Sequence, residues 1–509
     1  METKQKRNGF ASGIGFILAA SGSAIGLGNL WSFPNKTQTY GGAAFVFTYI
    51  LSVLVIGSIV MIAELYIGRR AQANTVSAYK KVNKNFGWLG LFGVIIPFII
   101  VCYYCILGGY TIKFTVNSFS GNAGKVYDFV DNKLEVILFT ALFIALCVFV
   151  VMAGVKGGIE KVSKILMPIL LIILIAIAIY SLCLGEGVKE GLDFYLNPKF
   201  EKLGFEGVLA AMSQAFFSLS LGMGIMASYG SYTDKKINIC KSISMICIFD
   251  TLVALLAGLA IFPAIYHYAG STDGIKTDGL LLMFQTLPYV FESMGLFGKF
   301  LSFFFFAMVV IAALTSVISL LEVVTQFVLQ AFNINRKKAV LIISCLCFVL
   351  TIPIGISLGL FLNEDMSMTI FGQDLLSLLD LITNQILMPV GALGACVAVG
   401  WLLDKPDKKS KLFSTKHLYS ALKKDGLDIG VFGKIFAVMV KYVTPILILV
   451  VEVFGIIDVI EKNGINGVGI ILLALLVCLI AIVTYFGLFK NKETGTNEDE
   501  YRLEKNKKS

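Results

Sequence analysis

The chain has 509 residues, of which 57% are hydrophobic and 15% charged, with a formal net charge of +9. Apolar runs of helix length recur along it, which excludes a soluble globular protein, since a bilayer core of about 30 Å takes roughly 20 apolar residues per helix. The sequence carries no GxxxxGKS or GxxxxGKT phosphate loop and no polar segment long enough for a nucleotide-binding domain, which excludes ATP as the energy source.

Only helices and closed barrels satisfy their backbone inside a bilayer, and these runs are helix-sized. Twelve spans are predicted, near 10–37, 42–68, 88–118, 134–155, 162–184, 205–232, 239–268, 293–331, 338–361, 370–403, 432–456 and 465–489. Most of the 42 Lys and Arg lie in the two tails and in alternate loops, such as "GRRAQANTVSAYKKVNKN", "NINRKK" and "DKPDKKSK". That bias places both termini in the cytoplasm of a cell (inner) membrane protein and accounts for the net charge without nucleic acid. The basic start "METKQKR" leads into a span too long for a signal-peptide core. The expected organisation is one polytopic domain: a first five-helix repeat over 10–184, a second over 205–403, two peripheral helices over 432–489 and a cytoplasmic tail at 490–509.

The first span is poor at being a helix. "SGSAIGLGNLWSFP" (21–34) holds three glycines, three serines and an asparagine. Gly22 and Gly26 alone would suit a small-xxx-small packing seam. Gly28 and Asn29 add what such a seam does not need. The sixth span has a matching interruption, "SQAFFSLSLGMGIMASYGSY", around Gly222 and Gly224. Breaks at the start of two five-span halves point to an inverted repeat with its binding site at the bilayer midplane. An unwound turn there frees peptide groups that cost several kcal/mol each unless something satisfies them. Carbonyls suit a cation or an ammonium, and N–H groups at a half-helix start suit a carboxylate.

The remaining polar residues follow in chain order. Glu64 in "MIAELYIGRR" is placed to bond the broken backbone of the sixth span as a structural partner. Cys102 and Cys105 in "CYYC" lie mid-span without a second pair, and with only two histidines in the chain they imply no metal centre. Tyr104 beside them reads, alone, as a packed aromatic. Asp250 is the only acid of the seventh span, and a mid-membrane Asp costs roughly 2.5–3.5 kcal/mol on insertion scales, so it calls for a cation. In the eighth span Ala312, Thr315 and Ser316 share one helical face, an oxygen cluster fit for sodium or, read alone, hydroxyls bonded back to their own helix.

Together "GSAIGLGNLWSFPNKTQTYGGAAF", "AELYIGRR", "IPFIIVCYY", "QAFFSLSLGMG" and "LTSVISLLE" resemble the neurotransmitter:sodium symporter family, in its bacterial amino-acid branch with the leucine-transporter (LeuT) fold. The resemblance covers all twelve spans and implies an all-α membrane protein whose first and sixth helices are broken. It implies transport of two sodium ions with no organic cofactor. The first would be held by Ala24, Asn29, Ser218 and Asp250, and the second by Gly22, Ile25, Ala312, Thr315 and Ser316. The substrate carboxylate would meet Leu27, Gly28 and Tyr104. Its amine would meet Ala24, Phe217, Ser218 and Ser220, and its side chain Ile100, Phe217, Met223, Ser316 and Leu320. Monoamine transporters of the family carry Asp at the position of Gly26, so here the substrate is expected to bring its own carboxylate: a neutral, hydrophobic or aromatic α-amino acid, taken up by alternating access. Asp250 stands where most members have Asn, and is expected to replace chloride.

Ser32 stands where the family has a gate arginine. Two readings of the outer gate are open: Lys36, one turn on, reaching Asp380 as a substitute ion pair, or a hydrogen-bonded or hydrophobic gate with Tyr104 over Phe217 closing the pocket. At the other end Arg7, Phe10, Ser231 and Tyr232 match the inner-gate pattern, with Gln330 where an acid is expected. A proton-coupled amino-acid transporter, with Asp250 titrating, and an ion channel are the rival readings. Lipid is the expected surrounding, and the protein a monomer or weak dimer.

Overall fold

The computed structural model describes residues 9–119, 130–234, 237–270, 282–362, 365–403, 418–420 and 431–489. Among these, ten helices are long and apolar enough to cross a membrane. Those that concern the site are α3 (Ala43–Ala71), α4 (Gly87–Asn117), α5 (Val155–Leu182), α8 (Ile239–Tyr268), α9 (Gly295–Ala331), α10 (Arg336–Leu360) and α11 (Leu375–Leu402). The predicted first and sixth spans are different. Each is a pair of shorter helices: α1 (Gly13–Ala24) with α2 (Gly28–Thr39), and α6 (Gly204–Ser218) with α7 (Ile225–Ser231).

The first break follows from its sequence. Helix α1 ends where Ile25 turns extended (φ −74°, ψ 99°), and α2 restarts three residues later with a π-helical turn over Gly28–Ser32. Pro34 then sits in the first turn of regular helix, where its missing N–H costs nothing. The axes of α1 and α2 diverge by 49°.

Six residues, 219–224, separate α6 from α7, and three of them hold positive φ: Ser220 (54°), Gly222 (76°) and Gly224 (72°). A Cβ on Gly222 would overlap the carbonyl of Met388 on α11, so this backbone approaches its neighbour at a distance only glycine permits. Ser220 has no such freedom. Its hydroxyl donates to the Ser23 carbonyl at 2.9 Å, which holds the residue in a conformation most side chains avoid.

Burial orders the remaining helices. The most apolar window of α4 is 83% buried, placing it at the centre of the bundle, and those of the last two spans, Phe432–Asn463 and Ile465–Leu488, are only 28% and 22% buried. Large side chains such as Phe149, Ile172 and Leu472 face outward, as lipid contact requires.

Candidate functional site

The two breaks face one another across a cavity of about 320 Å³, lined also by α4 and α9. Nine of the eleven residues expected to hold a substrate line it: Ala24, Gly28, Ile100, Tyr104, Phe217, Ser220, Met223, Ser316 and Leu320. Leu27 and Ser218 lie beside it, and Ser23 and Gly26 complete the wall. One pole is polar, built by Ser23, Ser220, Ser316 and Tyr104. The other is apolar, built by Ile100, Phe217, Met223 and Leu320.

At the polar pole the Leu27 N–H donates to Tyr104 Oη at 2.8 Å, pairing two groups expected to meet a carboxylate. The Ser316 hydroxyl donates to the Ser23 carbonyl at 3.3 Å, next to Ser220, which does the same. Gly26 is forced by this convergence, since a Cβ there would overlap Ser316 Oγ and lie 2.8 Å from Tyr104 Oη. The Phe217 ring rests on Gly28, whose Cβ would lie 3.1 Å from its edge.

Behind this wall is a buried carboxylate. Asp250 accepts from Asn29 Nδ2 at 2.9 Å on Oδ1 and from Tyr49 Oη at 3.0 Å on Oδ2, with Ser218 Oγ 2.9 and 2.8 Å from the two oxygens. Asn29 Oδ1 faces the Gly26 N–H at 3.3 Å. The amide of Asn29 and the hydroxyls of Tyr49 and Ser218, from α2, α3 and α6, therefore converge on the α8 carboxylate, and carboxylate, hydroxyl and amide oxygens are the ligand types that suit a hard cation. Tyr49 was not among the sequence-derived candidates. It lies in an aromatic-rich span where nothing in one sequence marks a hydroxyl aimed inward.

The second expected ion set is brought together in part. Gly22 packs against Thr315, with a Cβ there 3.3 Å from Thr315 Cβ. The Thr315 hydroxyl bonds back to the carbonyls of Ile311 and Ala312 at 3.0 and 3.1 Å, as membrane-helix threonines do. Ile25 ends its helix beside them.

Both gate expectations change. No ion pair joins Lys36 to Asp380 among the described residues. Lys36 Nζ donates instead to Gln214 Oε1 at 3.0 Å, Ser32 Oγ donates to the same oxygen at 2.8 Å, and Gln214 Nε2 donates to the Gly28 carbonyl at 2.8 Å. Asp380 accepts from Asn384 on its own helix. The amide of Gln214 thus connects the outer positions of α2 to the break itself. Its signal was its place one helical turn before Ser218.

At the opposite end Arg7 lies outside the described residues. Gln330 is no gate acid, because its carbonyl oxygen accepts from the Asn74 backbone and side chain at 3.1 and 2.7 Å. The acid of the eighth span is Glu322, fully buried, which accepts from Tyr232 Oη at 2.8 Å and pairs with Arg336. The Tyr232 carbonyl also accepts from the Phe10 N–H at 3.2 Å. A second acid inside an apolar span was the available signal. Glu64 is placed as expected, with Oε1 accepting the Gly222 N–H at 2.7 Å.

The sequence profile of the sodium:neurotransmitter symporter family matches residues 7–125 and 126–491. The chain belongs to this family. It is similar to the uncharacterized sodium-dependent transporter YhdH of Bacillus subtilis, 36% identical over 77% of this chain and 87% of that one. An uncharacterized sodium-dependent transporter of Haemophilus influenzae is 32% identical over 89% of this chain and 99% of its own. Among solved structures, MhsT in complex with L-phenylalanine superposes with a TM-score of 0.78 at 36% identity, covering 88% of this chain and 99% of that one. The architecture is therefore the LeuT fold with broken first and sixth spans. The protein is a multi-pass, sodium-dependent symporter and not an enzyme.

Proposed function

We propose that this symporter imports a neutral α-amino acid with a hydrophobic or aromatic side chain, together with two sodium ions, by alternating access and without chloride. The observation that carries the reading is the Asp250 carboxylate, buried and surrounded by the hydroxyls and amide of Tyr49, Ser218 and Asn29 directly behind the cavity. A fixed negative charge at that depth is costly unless a cation faces it. The cavity's polar pole suits an amino acid's two charged groups, and its apolar pole offers no partner for a charged side chain. MhsT, of related sequence, is solved with phenylalanine. Gly26 supplies no acid, so the substrate carboxylate has the Leu27 N–H and Tyr104 hydroxyl to meet.

Each sodium moving down 100 mV supplies about 2.3 kcal/mol, so two support roughly a thousandfold accumulation before any chemical gradient. Coupling requires sodium to bind one conformation better than the other, with the substrate completing the first ion's shell. We place both termini in the cytoplasm of the cell membrane, from the charge bias, and take the protein as a monomer or weak dimer. The deciding experiment is binding of each of the twenty amino acids to purified protein in sodium and in potassium. Binding that tracks pH and ignores sodium would favour the proton-coupled reading and refute this one.

A further inference from the structure

Helix α1 is severed from α2 at residues 25–27, so its orientation depends on what grips its far end. That end is gripped from α5. Glu160, 1% exposed, follows the π-helical turn Val155–Ile159 at the start of α5. Its Oε2 accepts the Ala11 N–H at 2.7 Å, and its Oε1 accepts the Ser12 hydroxyl at 3.3 Å. Ser12 Oγ is at once the N-cap of α1, accepting the Gly15 N–H at 3.0 Å. One carboxylate therefore satisfies the start of the half-helix directly and through its cap, where free N–H groups and the positive end of the helix dipole favour negative charge. The approach is close. Any Cβ at Gly15 would overlap Glu160 Oε1. Lys164 Nζ, 2.6 Å from the same oxygen and 39% exposed, is the only cation paired with this carboxylate among the described residues.

The gripped segment also closes one end of the cavity. Phe10 packs edge-on against Phe16 and Tyr229, both centroid distances being 5.4 Å, which sets three rings between the cavity and the end that the charge bias assigns to the cytoplasm. Opening that end requires Phe10 and Phe16 to part from Tyr229. With α1 hinged at its break, the economical motion is a swing of α1 as a unit, and the bonds such a swing breaks first are those to Glu160 and the Phe10 N–H bond to the Tyr232 carbonyl.

We propose that Glu160 is a positioning residue of the transport cycle, a latch whose carboxylate holds the free half of the broken first span closed. The inference rests on the alternating-access reading above and adds the group that sets the balance between its states.

The test uses hydrogen exchange of the purified full chain in sodium, read over residues 9–24. Glu160→Gln is expected to raise exchange there about tenfold, as the loss of charge-assisted hydrogen bonds to a helix start predicts. Gly15→Ala keeps the carboxylate and fills its seat with a methyl group, so it is expected to give the same local rise. Lys164→Ala leaves the N–H contacts in place and is expected to match wild type, and Glu160→Asp to fall between. Sodium for half-maximal substrate binding is expected to rise several-fold in Glu160→Gln and Gly15→Ala alike, because sodium must then supply the closure that the latch supplied. Unchanged exchange at 9–24 in Glu160→Gln would overturn the latch, as would a uniform rise across the bundle or a wild-type response in Gly15→Ala. Failure of the parent reading looks different: wild type would show no sodium-dependent binding, and the exchange comparison would still read the latch.

Discussion

Asn29 and Asp250, 221 positions apart, meet through a 2.9 Å hydrogen bond that joins the broken first span to the seventh. On the proposed reading, this bond holds the carboxylate in the place of a mobile anion that would otherwise balance sodium. Uptake by wild type is expected to be equal in chloride and in gluconate. Asp250→Asn keeps the size and most of the hydrogen bonding but removes the charge, so its uptake is expected to need chloride. A several-fold loss for wild type in gluconate, or a variant indifferent to chloride, would sink the idea.

Gly26 sits where Ser316 Oγ and Tyr104 Oη converge. Gly26→Ala inserts a methyl group into that contact, and overpacking of this kind costs about 1–3 kcal/mol. Substrate affinity measured by equilibrium binding is expected to fall about 10- to 100-fold, with thermal stability less affected because the cavity can absorb part of the displacement. An unchanged Kd would show that the polar pole is not where the substrate's charged end sits.

The breaks and Asp250 were legible because each violates local rules: glycines and an asparagine inside a span, or an acid in an apolar run. The cavity wall breaks no such rule, and Ile100, Tyr104, Phe217, Met223 and Leu320 were named only by the family resemblance. Gln214, Tyr49 and Glu322 were harder to see. Glutamine and tyrosine are unremarkable where they stand, and Glu322, though an acid in an apolar run, does not name its cation; their roles come from partners on other helices: Gly28 and Lys36, Asp250, and Arg336. The expected Lys36 to Asp380 bridge failed for the same reason. Helical spacing showed that Lys36 reaches the region above Ser32 but not that a glutamine from α6 fills the intervening place.

That glutamine makes a separable prediction. Gln214→Leu leaves the Gly28 carbonyl, the Ser32 hydroxyl and the Lys36 ammonium without their shared partner, at about 0.5–1.5 kcal/mol per lost hydrogen bond. Release of bound radiolabelled substrate is expected to quicken about tenfold or more. Lys36→Ala, removing one of three contacts, should quicken it less, and Asp380→Asn should leave it within twofold. Equal acceleration by Lys36→Ala and Asp380→Asn would instead restore the ion-pair gate.

Glu322 is fully buried and Arg336 is its cation, with Tyr232 as a third member. Removing one partner of a buried ion pair costs about 3–5 kcal/mol, chiefly because the remaining charge has no compensation, whereas removing both costs much less. Arg336→Ala is therefore expected to lower the Tm of the purified protein strongly, and the double variant Arg336→Ala with Glu322→Gln to recover most of the loss. Tyr232→Phe removes the hydroxyl that donates to Glu322 and is expected to cost about 1–2 kcal/mol, with the Phe10 N–H still held by the backbone carbonyl at position 232. The cycle distinguishes a buried pair from an incidental contact: additive losses in the double variant would mean that Arg336 acts through its bond to the Val151 carbonyl and not through Glu322.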